Sequence, residues 1–143
     1  MTDALTSRMQ WYQATALFSV MFALVGFSYN VWRTEVSEAN SNMRDASFEI
    51  LLQLAELEQL VYAAHYDDDL EAGNPRVGWV KVGLIRDLSV ACTEPVQEQA
   101  RGLHSIWGMS WEKLPTDRAA ADAVVAAIDA TRVSVSDVLR QLE

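Results

Sequence analysis

The stretch ATALFSVMFALVGFSYNVW, residues 14–32, dominates the N-terminal part of the sequence. No charged residue occurs from Met9 to Trp32, and at about 1.5 Å per residue such a helix covers the roughly 30 Å hydrocarbon core of a bilayer. Tryptophan and tyrosine flank the stretch at both ends, as expected where aromatic rings lie at the head groups. The sequence therefore predicts a transmembrane helix over residues 11–32, preceded by an N-terminal tail at residues 1–10.

One alternative to an anchor is a buried core helix, but a helix of a soluble bundle would normally carry a polar stripe. The other is a cleaved signal peptide, since Arg8 precedes the apolar run. No cleavage pair of small residues with a mature start is evident after Leu24, so we expect the helix to stay. Arginines lie on both sides of it, with Arg33 and Arg44 after the segment, and a short N-terminal tail most often stays in the cytoplasm. We expect the C-terminal domain outside, which in a bacterial inner membrane means the periplasm.

Small side chains follow one another along this predicted helix at Thr15, Ser19, Ala23 and Gly26. Their spacing places them on one helix face, and such a stripe lets another helix approach closely. We therefore expect an interface there with a transmembrane helix of a partner.

The apolar pattern after the membrane segment is helical. The recurring positions are Val36, Ala39, Met43, Ile50, Leu54, Leu57, Val61 and Ala64. They predict a long first helix over residues 33–66, ended by an acidic loop and Pro75. Its first part, residues 34–42, is poor in large apolar side chains, so we expect a membrane-proximal stalk or a segment that a partner covers.

Three further helices are expected within residues 67–143. The second begins at Pro75 and is broken near Pro95, and the fourth opens with Thr116 and Asp117 as caps. The predicted apolar face of the second helix is Val77, Val80, Leu84, Leu88 and Ala91. That of the third is Val96, Ala100, Leu103, Trp107, Trp111 and Leu114, and that of the fourth is Ala121, Val124, Ile128, Thr131, Val135, Val138 and Leu142. The fold expected is all-α, with one N-terminal transmembrane helix that continues into an antiparallel bundle of three to four helices.

Composition argues against several functions. The 143 residues carry a formal net charge of -9 at pH 7, without a run of lysine and arginine, so we expect no nucleic-acid partner. The single cysteine, Cys92, cannot form an internal disulfide. No catalytic motif is visible, so we expect neither enzymatic activity nor a cofactor. A b-type haem on His104 with Met43 or Met109 stays open, although such methionines more often serve packing.

The densest group of metal-ligand types comprises His65, Asp67, Asp68, Asp69 and Glu71. A calcium loop needs oxygen ligands at alternating positions and a glycine at the turn, which three adjacent aspartates do not provide. We expect a solvated loop that ends a helix, with His65, Asp67 and Asp69 as weak candidates for metal ligands.

Tryptophan is frequent outside the predicted membrane segment, at Trp79, Trp107 and Trp111. Trp107 and Trp111 lie four residues apart and therefore on one helix face. Such side chains anchor either a core or an interface with another protein. Both interpretations stay open, and the three residues are our candidates for an interface.

The sequence AHYDDDLEAGNPRVGWVKVGLIRDL, residues 64–88, resembles small single-pass inner-membrane proteins of Proteobacteria with a helical domain outside the membrane. The resemblance covers this segment and the plan of one anchor followed by helices. It implies a bacterial inner membrane and transfers no catalytic or binding residue.

Two classes of function fit these patterns. The first is a non-enzymatic accessory subunit that docks on a larger membrane complex, with the lipid bilayer, other membrane subunits or a second copy as partners. The alternative is a periplasmic four-helix sensory or ligand-binding module, which resembles the input modules of bacterial chemoreceptors and would signal through a partner protein. Saturable binding of a small molecule would favour the alternative.

Overall fold

The computed structural model describes residues 2–67 and 69–142. These residues form four α-helices, α1 (Thr2–His65), α2 (Pro75–Ser89), α3 (Glu94–Ser110) and α4 (Arg118–Gln141). No strand occurs among the described residues, so the predicted all-α fold is confirmed. The chain divides into two compact units, Met1–Ala39 and Asn40–Glu143, and the boundary lies inside α1.

The first unit consists of α1 up to Ala39. Side chains are described for Trp11 and from Thr15 onward, and all of those up to Asn42 are exposed. An apolar window of α1 is long enough to cross a membrane, and none of that window is buried within the protein. By length and composition this helix could span a bilayer, as the sequence predicts.

In the second unit, α1 packs beside α2 in the opposite direction. Ser47 of α1 lies beside Cys92, just after α2, with the two polar atoms 3.7 Å apart. Further along α1, Glu56 forms an ion pair with Lys81 of α2. Because the later α1 residue contacts the earlier α2 residue, the two helices are antiparallel.

The fourth helix lies along another side of α1. Arg44 donates a hydrogen bond to the carbonyl oxygen of Leu142 at 2.8 Å, and Arg132 contacts the Glu58 carboxylate at 2.5 Å. These contacts make α1 and α4 antiparallel as well. Since α3 packs against both α2 and α4, the four segments form an antiparallel four-helix bundle.

Polar side chains fix the starts of α2 and α4. The Asn74 side chain accepts a hydrogen bond from the backbone N–H of Arg76 at 3.0 Å, and Pro75 starts the helix where it needs no N–H partner. The Asp117 side chain accepts from the backbone N–H of Ala119 at 2.9 Å. The predicted cap at Asp117 is therefore confirmed.

Two predicted helix boundaries need correction. The second helix already ends at Ser89, and Pro95 lies in the first turn of α3 instead of breaking α2. A proline is well tolerated in a first helical turn because its missing N–H has no partner there anyway. The third helix ends at Ser110, so Trp111 and Leu114 follow it.

The core follows the predicted faces of α1, α3 and α4. Its buried members on these faces are Ile50, Leu54, Leu57, Val61 and Ala64; Val96, Ala100, Leu103 and Trp107; and Ala121, Val124, Ile128, Thr131, Val135 and Val138. Thr131 is the polar member, and its hydroxyl donates to the carbonyl oxygen of Ala127 at 2.8 Å. This hydrogen bond satisfies the buried hydroxyl.

The predicted core face of α2 is wrong. Val80 is 69% exposed, Val77 44% and Leu84 37%, while Leu88 is half-buried and Ala91, just after the helix, is exposed. The residues that α2 buries are Gly78, Val82, Ile85 and Ser89. We call Val77, Val80, Leu84, Leu88 and Ala91 the α2 outer stripe.

Two contacts explain this orientation of α2. A Cβ atom at Gly78 would lie 2.1 Å from Cζ2 of Trp107, so the glycine lets the indole reach the helix backbone. The Lys81 ammonium donates to the Glu56 carboxylate and, at 3.3 Å, to Oε1 of Gln53. Together they turn the face with Gly78, Val82 and Ile85 inward and leave Val77 and Val80 outside.

Candidate functional site

The α2 outer stripe leaves large apolar side chains in solvent. Val77, Val80 and Leu84 are spaced by three and four residues, so they lie on one helix face. Contiguous apolar patches on a protein surface mark sites of interaction with proteins or membranes. The stripe is therefore the candidate interaction surface of the bundle.

Basic side chains accompany the α2 outer stripe along the helix. Arg76 is exposed, and Arg86 lies 3.5 Å from Asp87, with both side chains largely in solvent. Lys81 is more buried and is already paired with Glu56. An apolar centre beside charged residues is the usual composition of a protein–protein contact surface.

The three tryptophans outside the apolar segment differ in exposure. Trp107 is fully buried against Gly78, so its prediction as an interface residue is wrong, because its surface is used inside the bundle. Trp79 is 37% exposed, and its ring packs edge-on against His104 at 5.4 Å between centroids. Trp111 is half-buried. Trp79 and Trp111 thus keep surface that a partner could contact.

The predicted small-residue stripe of α1 lies on an exposed face. Thr15 donates its hydroxyl to the carbonyl oxygen of Trp11 at 2.8 Å, and Ser19 donates to that of Thr15 at 2.9 Å. A Cβ added at Gly26 would meet nothing within 4 Å. Because the helix itself satisfies both hydroxyls, the stripe presents a smooth surface without unpaired donors, which suits close helix contact.

The acidic loop uses its polar groups for structure. His65 Nδ1 lies 2.7 Å from the carbonyl oxygen of Leu114, which makes it the protonated ring nitrogen. The Asp69 carboxylate accepts hydrogen bonds from the backbone N–H groups of Glu71 and Ala72. Asp67 is exposed, and Asp68 lies outside the described residues.

Metal-ligand types do not converge in this loop. Among residues 2–67 and 69–142, no three His, Cys, Asp or Glu side chains are placed to hold one ion. The imidazole of His65 and the carboxylate of Asp69 instead tie the loop to its own backbone and to the segment after α3.

The remaining candidates from the sequence are dispersed. Cys92 is buried, and burial raises the pKa of its thiol, although the hydrogen bond with Ser47 opposes this change. A thiol held protonated in this way is a weak nucleophile. Met109 is 67% exposed, whereas Met43 packs against the core. His104 packs against Trp79.

A shallow cleft of about 170 Å³ lies where the loop after α1 meets the segment after α3. Its lining is Ala64, Leu70, Gly73, Pro75, Trp111, Glu112, Leu114 and Pro115. Sites for small organic molecules usually enclose about 300–1,000 Å³, and among these lining residues only Glu112 is charged. The cleft therefore gives no support to a ligand-binding module.

A second exposed stripe on α1 was not predicted. Phe48 is 58% exposed, Leu52 52%, Tyr62 39% and Tyr66 58%. The spacing of these residues was visible in the sequence. The stripe was missed because the core face of the same helix, with Ile50, Leu54, Leu57 and Val61, is sufficient to explain the helical periodicity of the sequence.

No protein-family model, curated protein or solved structure matches this chain. A function therefore has to be based on the surfaces of the chain itself. The α2 outer stripe, the small-residue stripe of α1 and Trp79 are those surfaces.

Proposed function

We propose that this chain is a membrane-anchored, non-enzymatic interaction subunit whose helical bundle docks on a larger membrane protein complex. In this proposal residues 11–32 cross a bacterial inner membrane, in line with the resemblance of residues 64–88, and the bundle lies on the periplasmic side. The α2 outer stripe is the observation that carries the proposal.

The stripe supports docking because its largest exposed surfaces, at Val77 and Val80, are not covered by the bundle. The inward face of α2 consists of Gly78, Val82, Ile85 and Ser89, and neither Val80 nor Leu84 belongs to the buried core. Burial of a valine or leucine side chain stabilises by about 1.5–3 kcal/mol. A partner with a complementary apolar surface would gain the part of this free energy that belongs to the surface still exposed, 69% at Val80 and 37% at Leu84.

The anchor supplies a second contact in this proposal. Thr15, Ser19, Ala23 and Gly26 form the small-residue face, and a membrane helix of the complex packs on it. The exposed residues 34–42 fit a stalk, or a segment that the complex covers. Hydrogen exchange tests the stalk, because uniform amide protection there in the isolated monomer would contradict it.

The first test is extraction of the tagged chain from its native membrane in mild detergent, followed by the particle mass and the identity of any companions. A large particle with stoichiometric companions is expected. A particle that contains only this chain would contradict docking and would favour the sensory alternative.

Matched substitutions then locate the contact. Val80→Glu and Leu84→Glu should reduce the recovery of companions, because each places a charge in the α2 outer stripe. Val133 on α4 is 60% exposed, and Val133→Glu is the control that should leave recovery unchanged. Equal recovery from all three variants would exclude the α2 outer stripe as the docking surface.

A second matched pair tests the anchor. Ser19→Leu fills the small-residue stripe, whereas Ser28→Leu makes the same change on the opposite face of the helix. We expect Ser19→Leu to loosen the complex and Ser28→Leu to leave it intact. Unchanged co-purification of both variants would remove the anchor contact from the proposal.

A further inference from the structure

The outward face of α1 in the bundle carries its own regular apolar pattern. Its members are Phe48, Leu52, Ala55, Gln59, Tyr62 and Tyr66, all exposed, and we call them the α1 outer stripe. They are separated by alternating steps of four and three residues. This spacing is the heptad of a coiled-coil seam, with the first and fourth positions of each heptad facing a second helix.

We propose that the α1 outer stripe is the seam of a parallel dimer formed with a second copy of this chain. The inference rests on the proposed function in one respect, since a common membrane anchor gives both copies the same orientation. Two α1 helices that meet side by side in one membrane are parallel. Each residue of the stripe then lies opposite its own equivalent.

Charge complementarity fits this parallel register. When Leu52 and Gln59 take the first heptad position, the two preceding heptads are residues 38–44 and 45–51. Arg44 is then the last residue of one heptad, and Glu49 is the fifth residue of the next. In parallel coiled coils these two positions on different chains are neighbours. Arg44 would therefore contact Glu49 of the second copy. The corresponding pairs further along, Leu51 with Glu56 and Glu58 with Ala63, contain no like charges.

Two polar residues inside the stripe, Tyr62 and Gln59, also suit burial against a second copy. Tyr62 donates its hydroxyl to the Glu58 carboxylate at 2.7 Å, so burial of the ring leaves no unpaired donor. The Gln59 side chain both donates and accepts, so two copies of it can pair across the axis. The seam begins at Phe48, because the preceding heptad position, Asp45, would place two carboxylates opposite each other.

Cysteine scanning of the full chain in its membrane tests this seam. Single cysteines at each position from 51 to 59, in a Cys92→Ala background, are oxidised and the disulfide-linked dimer is quantified. Maxima at Leu52, Ala55 and Gln59, with minima at Gln53 and Leu57, are expected from a parallel seam. Ala130→Cys on the exposed side of α4 is the matched control for Ala55→Cys.

A charge substitution gives an independent readout. Leu52→Glu places two carboxylates opposite each other and removes a leucine that the dimer would bury, so the dimer should dissociate about tenfold more readily in detergent. Leu70→Glu, at a loop residue that is 74% exposed, should leave dimerisation unchanged. Circular dichroism of both variants confirms that the helices remain.

The outcomes separate the seam from the anchor. Cross-linking without the periodic maxima, or equal dissociation of the two glutamate variants, would overturn the dimer even if the chain stays in the membrane during alkaline extraction. Periodic maxima in a chain that alkaline extraction releases would support the seam and contradict the anchor.

Discussion

The second and fourth helices both pack against α3, and each forms an ion pair with α1, yet they fill the core differently. α4 contributes Val124, Ile128 and Val135, each fully buried. At its contact with α3, α2 offers the backbone at Gly78 and lets Trp107 fill the space. α2 also buries Val82 and Ile85, but it differs from α4 in this close approach of its backbone to an indole ring.

This difference explains why the two helices tolerate change at different places. A helix that packs through large side chains loses stability gradually as they are trimmed. A helix that packs through a glycine tolerates trimming of its outer residues but no added atom at the glycine. The outer valines and leucine of α2 are thereby left for contacts outside the bundle.

The largest effect is expected at the α2 contact. Gly78→Ala would place a Cβ atom 2.1 Å from the Trp107 ring, and because that ring is fully buried it can move aside only by displacing other core side chains. We expect a loss of about 2–3 kcal/mol in the free energy of unfolding. Urea denaturation of the full chain in detergent, followed by far-ultraviolet circular dichroism, measures it.

The control lies on the same helix. A Cβ at Gly83 would meet nothing within 4 Å, so Gly83→Ala should stabilise α2 by roughly 0.5–1 kcal/mol through helix propensity. If Gly78→Ala proved as mild as Gly83→Ala, the close contact between α2 and Trp107 would be refuted.

The next comparison trims one valine on each helix. Val124 is fully buried in α4 and Val80 is 69% exposed in α2. Val124→Ala should cost about 2 kcal/mol, from lost burial and the cavity left behind, while Val80→Ala should change stability by less than about 0.5 kcal/mol. Thermal unfolding of both variants checks this. Similar losses would mean that the α2 outer stripe is buried within the bundle.

Features set by neighbours in sequence could be predicted. The acidic loop after α1, the start of α2 at Pro75 and the Asp117 cap depend on residues within a few positions, and the structure places helix boundaries there. The inward face of α4 could also be predicted, because its apolar positions persist over most of the helix. Capping residues, prolines and long regular apolar patterns are therefore sufficient to predict where the helices lie.

The orientation of α2 could not be predicted in this way. Its residues with the clearest apolar spacing include Val80 and Leu84, and they point outward because Gly78 meets Trp107 of another helix. A glycine carries no apolar signal, so a search for hydrophobic periodicity overlooks it. The residues of the candidate site were thus found, but they were assigned to the core.

Removal of a helix cap should lower the free energy of unfolding by a smaller amount, and this test includes α3 beside α2 and α4. Asn74 and Asp117 each accept a backbone hydrogen bond at the start of α2 and α4, whereas Thr93 before α3 makes no such side-chain bond. Asn74→Ala and Asp117→Ala should each cost about 1 kcal/mol, and Thr93→Ala clearly less. Urea midpoints rank the three, and an equal cost for Thr93→Ala would contradict the assigned caps.

The smallest effect concerns the ion pair between α4 and α1. The hydrogen bond from Tyr62, together with Arg132, holds the pKa of Glu58 below its ordinary value despite some burial. A lowered pKa stabilises the fold above the unfolded-state pKa, and this stabilisation disappears as the pH falls through the folded-state pKa.

Both partners of this ion pair are partly solvated, with side-chain exposures of 34% for Arg132 and 23% for Glu58, so about 0.5 kcal/mol is expected. Glu58→Gln should therefore be less stable than the wild type at pH 7 and equal to it in acid, as urea midpoints across pH would show. Tyr62→Phe, which removes the hydrogen bond that lowers the pKa most, should give an intermediate curve. A Glu58→Gln curve parallel to the wild type through the acid range would mean that Glu58 does not couple α1 to α4.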